Sequence, residues 1–391
     1  MIKYERMLKL YNSLTKKKEL FRPIKPKNVS LYVCGITPYD TTHLGHAFTY
    51  ISFDILVRFL IYKGYVINYT QNVTDINDRD NDILQKAEET NTSWQKLAEY
   101  WTEKFLNDMK VLNWIMPNNY LKASESIGKM IVLINKLLSN KFAYEKNGSV
   151  YFDISKKKDF GKLSAFDRIQ MLKIAKEFDE DTGNPDKKNS LDITLWRATN
   201  NNQPAHIPSF LSPFGKGRPG WHIECSAMAT KTLGEQIDIH GGGIDLIYPH
   251  HEAEIAQSEG ATSKTPFARF WLHVAQVAYQ GKKMSKSLGN LVMISDLLKK
   301  YSANAIRWYL ISHHYRQPWE FFEKDIEKAN IEFSQILDYN TKQKLEVEFD
   351  ENIFNKFINA LNNDLNTPLA LQIIKSSPNK KMLSTLGFSN F

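Results

Sequence analysis

The stretch VSLYVCGITPYDTTHLGHAFTYISFDILVRFLIYKGYVINYTQNVTD, Val29–Asp75, decides the fold. Its opening, VSLYVCG, is a short apolar run of strand-favouring residues and predicts a buried strand. The segment after Tyr39 predicts a turn and then a long helix. Asp40, Thr41 and Thr42 are capping types at its start, and Gly64 suits the position just past its end. YVINYTQNVTD then predicts a second strand. A strand, a helix and a strand in this order form a β–α–β unit. It implies an α/β fold with a parallel sheet, whose site lies at the carboxyl ends of the strands.

Outward from this unit, residues from about 80 to 140 read as helices, and 145–215 as an irregular polar stretch around the strand GSVYFDIS. Strands return at EQIDIHGG and FWLHVAQVAYQG, and from 291 onward the pattern is helical. The middle looks inserted between two halves of one sheet domain. The divisions expected are 1–112 and 206–314 for the two halves, 113–205 for the insert and 315–391 for a helical bundle.

Composition narrows the class. Of 391 residues, 42% are hydrophobic and 24% charged, as in a globular protein. No run of eighteen apolar residues appears, and the first twenty residues lack the apolar core of a signal peptide, so a cytoplasmic protein without a membrane partner is expected. Two cysteines, Cys34 and Cys225, do not make a disulfide framework. The net charge of +8 suits a polyanionic partner, although the lysines are spread rather than gathered in one block.

Three groups of residues point to chemistry. His43-Leu44-Gly45-His46 follows a strand and opens a helix, where imidazoles and a helix N-terminus suit phosphate oxygens. Gly45 leaves room for a ligand against the backbone. KKMSKSLGN, Lys282–Asn290, is a polar lysine-rich loop that could meet phosphates from the other side. The third group is scattered. Cys34 ends the first strand, Cys225 lies in GRPGWHIECSAMAT, and His250 and Glu254 are spaced i, i+4 on an expected helix, facing one way. Two thiols, an imidazole and a carboxylate make a zinc-type set, with His251 and Glu252 as competitors on another face. Buried thiols beside a solvated acidic helix are the alternative.

Together, the histidine and lysine strings resemble the paired signatures of class I aminoacyl-tRNA synthetases. YVCG, HLGHAFTY, QNVTDIND, GRPGWHIECSAM, DIHGGGIDLIYPHHEAEIAQSE and KMSKSLGN resemble the motif series of the cysteinyl-tRNA synthetases, over roughly residues 20–320. This resemblance implies a Rossmann-like catalytic domain and activation of L-cysteine by ATP, with Mg2+, followed by transfer to tRNA(Cys) by a monomer. It implies ATP phosphate contacts from His43 and His46, Lys286 steadying the leaving pyrophosphate, and Lys283 as a further catalytic residue. It also implies Zn2+ on Cys34, Cys225, His250 and Glu254, with the substrate thiolate placed on the metal. Gly35 and Thr37 would flank the metal end. Thr74 and Asp245 would hold cysteine and its amino group, Trp221 would form a wall, and Gly242 and Gly243 would approach the adenosine.

Two features resemble instead a related ligase that joins cysteine to glucosaminyl-inositol in mycothiol synthesis: the spelling CGITPYD, and an end at Phe391 soon after the lysine motif. Glu254 and the basic charge favour the synthetase. A non-catalytic zinc-binding paralogue is a third reading, whose expected mark, loss of the histidine or lysine motif, is absent from this sequence.

Overall fold

A computed structural model describes residues 7–39, 42–200, 202–204, 206–284, 288–342 and 350–389. The opening stretch folds as strand β1 (Asn28–Ile36), helix α1 (Leu44–Tyr62) and strand β2 (Val66–Val73). α1 is capped by His43, whose Nδ1 accepts from the backbone N–H groups of Gly45 and His46. The cap is therefore not Thr42; Asp40 and Thr41 lie outside the described residues. Gly64 follows the helix with φ at +83°, the left-handed conformation expected of it. α1 is the one helix among the described residues long and apolar enough to cross a membrane, but 67% of that window is buried inside the fold. Phe48, Ile51, Leu56, Phe59 and Leu60 are all at most 1% exposed.

Helix α2 (Trp94–Val111) leads to strand β3 (Asn119–Lys122), which pairs with β2. Helix α3 (Ile127–Ser139) enters a second unit. There strands β4 (Ala143–Lys146), β5 (Ser149–Phe152), β6 (Ile193–Ala198) and β7 (Gly217–Pro219) form an antiparallel sheet in that order. Between β5 and β6 lies helix α4 (Arg168–Glu177), opened by an Asp167–Gln170 capping box inside the stretch that reads as irregular. The chain returns through helix α5 (Trp221–Leu233), strand β8 (Ile237–Gly243), helix α6 (Glu252–Thr262) and strand β9 (Ala268–Val274).

The main sheet is five-stranded and wholly parallel, in the order β9-β8-β1-β2-β3. Residues 113–205 thus contribute β3 to this sheet, and the small sheet ends only at Pro219. From β1 the chain proceeds towards β2 and β3, and from β8 towards β9. The strand order therefore reverses between β1 and β8, where an open α/β sheet leaves a crevice at its carboxyl edge. Helices α7 (Ala303–Ile311), α8 (Glu323–Lys342), α9 (Glu351–Asn362), α10 (Thr367–Ser376) and α11 (Lys380–Thr385) follow. They are joined to the sheet domain through buried Arg307, which donates to Asp54 on α1 and to the carbonyls of Leu112 and Leu386.

Candidate active site and metal centre

A cavity of about 560 Å³ opens at the reversal between β1 and β8. Cys34, Cys225 and His250 line one end; His43, His46 and Lys283 also line it. Gly35, Thr37, Gly45, Thr74, Trp221, Gly243 and Asp245 are in its wall as well. Gly242 is not. A Cβ there would meet Leu246 at 2.8 Å and the His251 ring at 3.3 Å, so that glycine serves packing. Gly241 is likewise needed beneath Phe53 of α1, with only 2.2 Å available. Lys286 lies outside the described residues.

Gly35 carries the tightest restriction. Its Cβ would sit 1.5 Å from the carbonyl oxygen of Asn72 on β2, while its N–H donates to the Asn72 side chain at 2.8 Å. Asn72 in turn donates to the Thr74 hydroxyl at 3.1 Å. These contacts tie β1 to β2 at the irregularity between Val33 and Ile36, where the pairing shifts register beside Cys34. Gly35→Ala is expected to destabilise the protein by about 3 kcal/mol and to lower its melting midpoint by roughly 4 °C in thermal scanning. An unchanged midpoint would contradict the close approach.

At the end of the cavity where His43 and His46 stand, the cap determines which nitrogen of His43 is left as a donor. Nδ1 accepts from Gly45 at 3.1 Å and His46 at 3.3 Å, so it carries no proton. Nε2 therefore holds the proton of the neutral ring and is a donor. The His43 and His46 rings stack at 3.7 Å. A Cβ at Gly45 would approach the His43 ring to 3.0 Å, so Gly45 makes room for its neighbouring histidine.

At the other end the scattered set comes together. The ligand atoms of Cys34, Cys225, His250 and Glu254 all lie within 4.8 Å of one another, and all four residues are buried. Glu254 accepts from Cys34 Sγ at 3.4 Å, and its Oε1 lies 3.3 Å from His250 Nε2. The other ring nitrogen of His250 bonds His222 at 2.8 Å, whose far side meets Glu180 at 3.0 Å. Arg79 pairs with Glu180 and lies 3.8 Å over the Trp221 ring. A ligand imidazole fixed through its second nitrogen is the usual support of a metal site.

A second set, Cys34, His240, His251 and Glu254, is equally compact. It shares two residues with the first, but neither His240 nor His251 lines the cavity. An ion there would be closed off from substrate. His240 Nε2 lies 2.9 Å from Glu254 and supports the carboxylate from behind, whereas His251 bonds His273 at 2.8 Å and keeps its Nε2 3.9 Å from Glu254. Glu252 is excluded by use: it accepts from the backbone N–H groups of Gly161, Leu163 and Ser164, which ties α6 to the inserted unit.

Burial leaves this cluster uncharged in the absence of a cation. It pushes the Cys34 thiol well up, helped by Cys225 and Glu254, and also raises Cys225 and Glu254. It holds His250 well down, reinforced by His222 and His240, and puts His240 at about 3. Glu180 behaves oppositely. Burial alone would raise it, but His222 and Arg79 outweigh burial and hold its carboxyl at about 2. Two soft sulfurs, an imidazole and a carboxylate at this spacing fit one zinc-type ion, whose charge reverses the pKa balance of its ligands.

Sequence reasoning did not single out Asn72, Arg79, Glu180, His222 or His240. Only His240 carried a signal, a histidine inside an otherwise buried strand. The others act through contacts between distant segments.

Residues 20–331 match the family model described as tRNA synthetases class I (C) catalytic domain. A Cysteine--tRNA ligase of Thermococcus onnurineus is 43% identical over 386 residues, covering 94% of this chain and 78% of that protein. One from Legionella pneumophila is 42% identical, covering 94% and 79%. One from Methanococcus vannielii is 41% identical, covering 94% and 78%. Among solved structures, Mycobacterium tuberculosis methionyl-tRNA synthetase with methionyl-adenylate aligns at a TM-score of 0.63 and 16% identity, covering 91% of this chain and 82% of that one. Agrobacterium radiobacter LeuRS, in a ternary complex with tRNA, aligns at 0.62 and 12%, covering 93% and 81%. At those identities the structural likeness concerns the fold alone. The family model and the sequence relatives agree with the cavity's two ends: this chain belongs to the class I tRNA synthetases, in the cysteine--tRNA ligase family.

Proposed function

We infer that the chain activates L-cysteine with ATP, giving cysteinyl-adenylate and pyrophosphate, and then transfers the cysteinyl group to tRNA. The observation that carries this reading is one cavity with a thiol-rich cluster at one end and the His43, His46 and Lys283 set at the other. In the first step a carboxylate oxygen of cysteine attacks the α-phosphorus and pyrophosphate leaves. In the second, a terminal tRNA hydroxyl attacks the carbonyl and AMP leaves.

His43 Nε2–H and His46 would donate to phosphate oxygens as charge develops there, from a rigid helix start. Lys283, with Lys286, would neutralise the departing pyrophosphate, and Mg2+ would accompany the nucleotide. Such preorganised donors need no rearrangement when the charge appears. Thr74 and Asp245 would hold the substrate amine, and Trp221, backed by Arg79, would close one wall.

Cys34, Cys225, His250 and Glu254 would hold zinc, which when bound supplies a soft site that prefers a thiolate to a neutral hydroxyl. The chain's part is to bury that site and leave one side open to the cavity. Serine differs from cysteine only by oxygen for sulfur, and pocket shape discriminates weakly at that scale. Glu254→Gln removes one anionic ligand but keeps the shape. Metal retention against a chelator is expected to fall at least about 10- to 100-fold, with zinc content as the measurement. Unchanged retention would remove Glu254 from the set.

Cysteine-dependent ATP–pyrophosphate exchange by the zinc-loaded protein tests the first step; its absence would refute the reading. Offering tRNA and glucosaminyl-inositol in parallel tests the acceptor. Charged tRNA is expected. Amide formation with the sugar amine alone would instead support the ligase to which CGITPYD is similar.

A further inference from the structure

Lys283 Nζ lies 2.9 Å from Asp245 Oδ2. These residues come from different elements and, on the reading above, serve different substrates. Lys283 belongs to the phosphate end and Asp245 to the cysteine amine. Here the lysine occupies the seat expected of the amine.

Only the lysine side chain needs to move to leave. Its backbone pairs in a short antiparallel ladder with Ala278, and the Asn290 side chain donates to the carbonyls of Lys283 and Tyr279, at 3.2 and 3.0 Å. Asp245 stands on the turn Ile244–Leu246, directly after β8. The pair is partly open to solvent, with side-chain exposures of 46% and 34%, so it exchanges readily. Among the described residues, the other carboxylate in the cavity wall is Glu177, and it is exposed.

We propose that Asp245 couples the two halves of the site: the substrate ammonium displaces Lys283 from it and thereby frees Lys283 for the phosphates of ATP. Two ammonium groups competing for one carboxylate repel each other as well as exclude each other. Before cysteine arrives, ATP must break the lysine pair to recruit Lys283. Afterwards there is no pair to break. By reciprocity, ATP strengthens the hold on cysteine by the same factor. A partly exposed pair sets the size of this coupling at about fivefold, equal to about 1 kcal/mol. The proposal rests on the assignment of the cysteine amine to Asp245.

The test is calorimetric titration of the full-length, zinc-loaded protein. Cysteinol carries the thiol and the amine but no carboxylate to activate; 3-mercaptopropan-1-ol lacks the amine. Without ATP, Lys283→Met should bind cysteinol about fivefold tighter than the unaltered protein, because the competitor is gone. Its affinity for 3-mercaptopropan-1-ol should not change. In the unaltered protein cysteinol should tighten ATP binding about fivefold, and in Lys283→Met it should not. Lys283→Arg, which keeps the charge, should restore the coupling. A lysine acting only on pyrophosphate would leave cysteinol affinity untouched. Equal cysteinol affinities in the unaltered protein and Lys283→Met, or equal coupling by the two thiols, would overturn the proposal alone. Failure of cysteinol to bind either protein would overturn the cysteine reading and this proposal with it.

Discussion

Cys225→Ser is expected to reduce cysteine-dependent ATP–pyrophosphate exchange by about a thousandfold or more, close to the loss of a principal stabilising interaction of about 4 kcal/mol. Cys225 is 1% exposed, at the buried start of α5, yet its thiol reaches the cavity end where Cys34 and His250 stand. Serine is nearly isosteric, so the helix should pack as before. Its hydroxyl does not ionise when a cation arrives, whereas a thiol does. The cluster would retain one sulfur, one imidazole and one carboxylate. Selection of cysteine over serine should fall too. A preference of about four powers of ten is about 5.5 kcal/mol, and a pocket without a soft metal supplies far less. Zinc content and exchange with each amino acid measure both effects. Full zinc content with undiminished selectivity would mean that Cys225 is a packing thiol.

The second large effect is expected at His43, where the structure separates two roles that one residue performs. As a cap, its Nδ1 takes two backbone N–H groups of the first turn of α1. In the proposed second role, its Nε2–H would donate to phosphate. Asparagine caps helices well but is too short to offer that donor. His43→Asn should therefore keep its melting midpoint while losing about 100- to 1,000-fold in turnover. His43→Ala should lose a similar amount of turnover and, with the cap gone, about 1 kcal/mol of stability. Thermal scanning and exchange kinetics on the two variants distinguish the roles. If His43→Asn kept full turnover, capping alone would explain the histidine at this position.

The second reading of the opening motif now has a narrower scope. CGITPYD spans the end of β1 and the approach to α1, including Asp40, which lies outside the described residues. The relatives at 41–43% identity are cysteine--tRNA ligases. The motif's spelling therefore bears on the acceptor experiment, while the activating chemistry is shared by both readings.

Much of this was legible along the chain. The strand–helix–strand reading of Val29–Asp75 needed only periodicity and turn residues, because those forces act between near neighbours. Helix α4 was hidden for a local reason: its apolar residues are spread around the helix, with Ile169 exposed and only Met171 and Ala175 buried, so they gave little pattern, and the Asp167–Gln170 box was its clearest mark. The candidate ligands could be named from residue type, since few side chains bind soft metals. Their resemblance to known motifs carried more than their spacing.

Tertiary structure decided what no local pattern contains. It turned His250 to the cavity and bonded His251 to His273, away from the cavity wall. It withdrew Glu252 to a backbone anchor and Gly242 to packing. It also placed Lys283 on Asp245. Each of these outcomes depends on which segments a parallel sheet brings side by side. The sequence alone determined the elements and the available chemistry. Only the packed sheet determined which donors share one centre, because burial and distance belong to pairs of segments far apart in the chain.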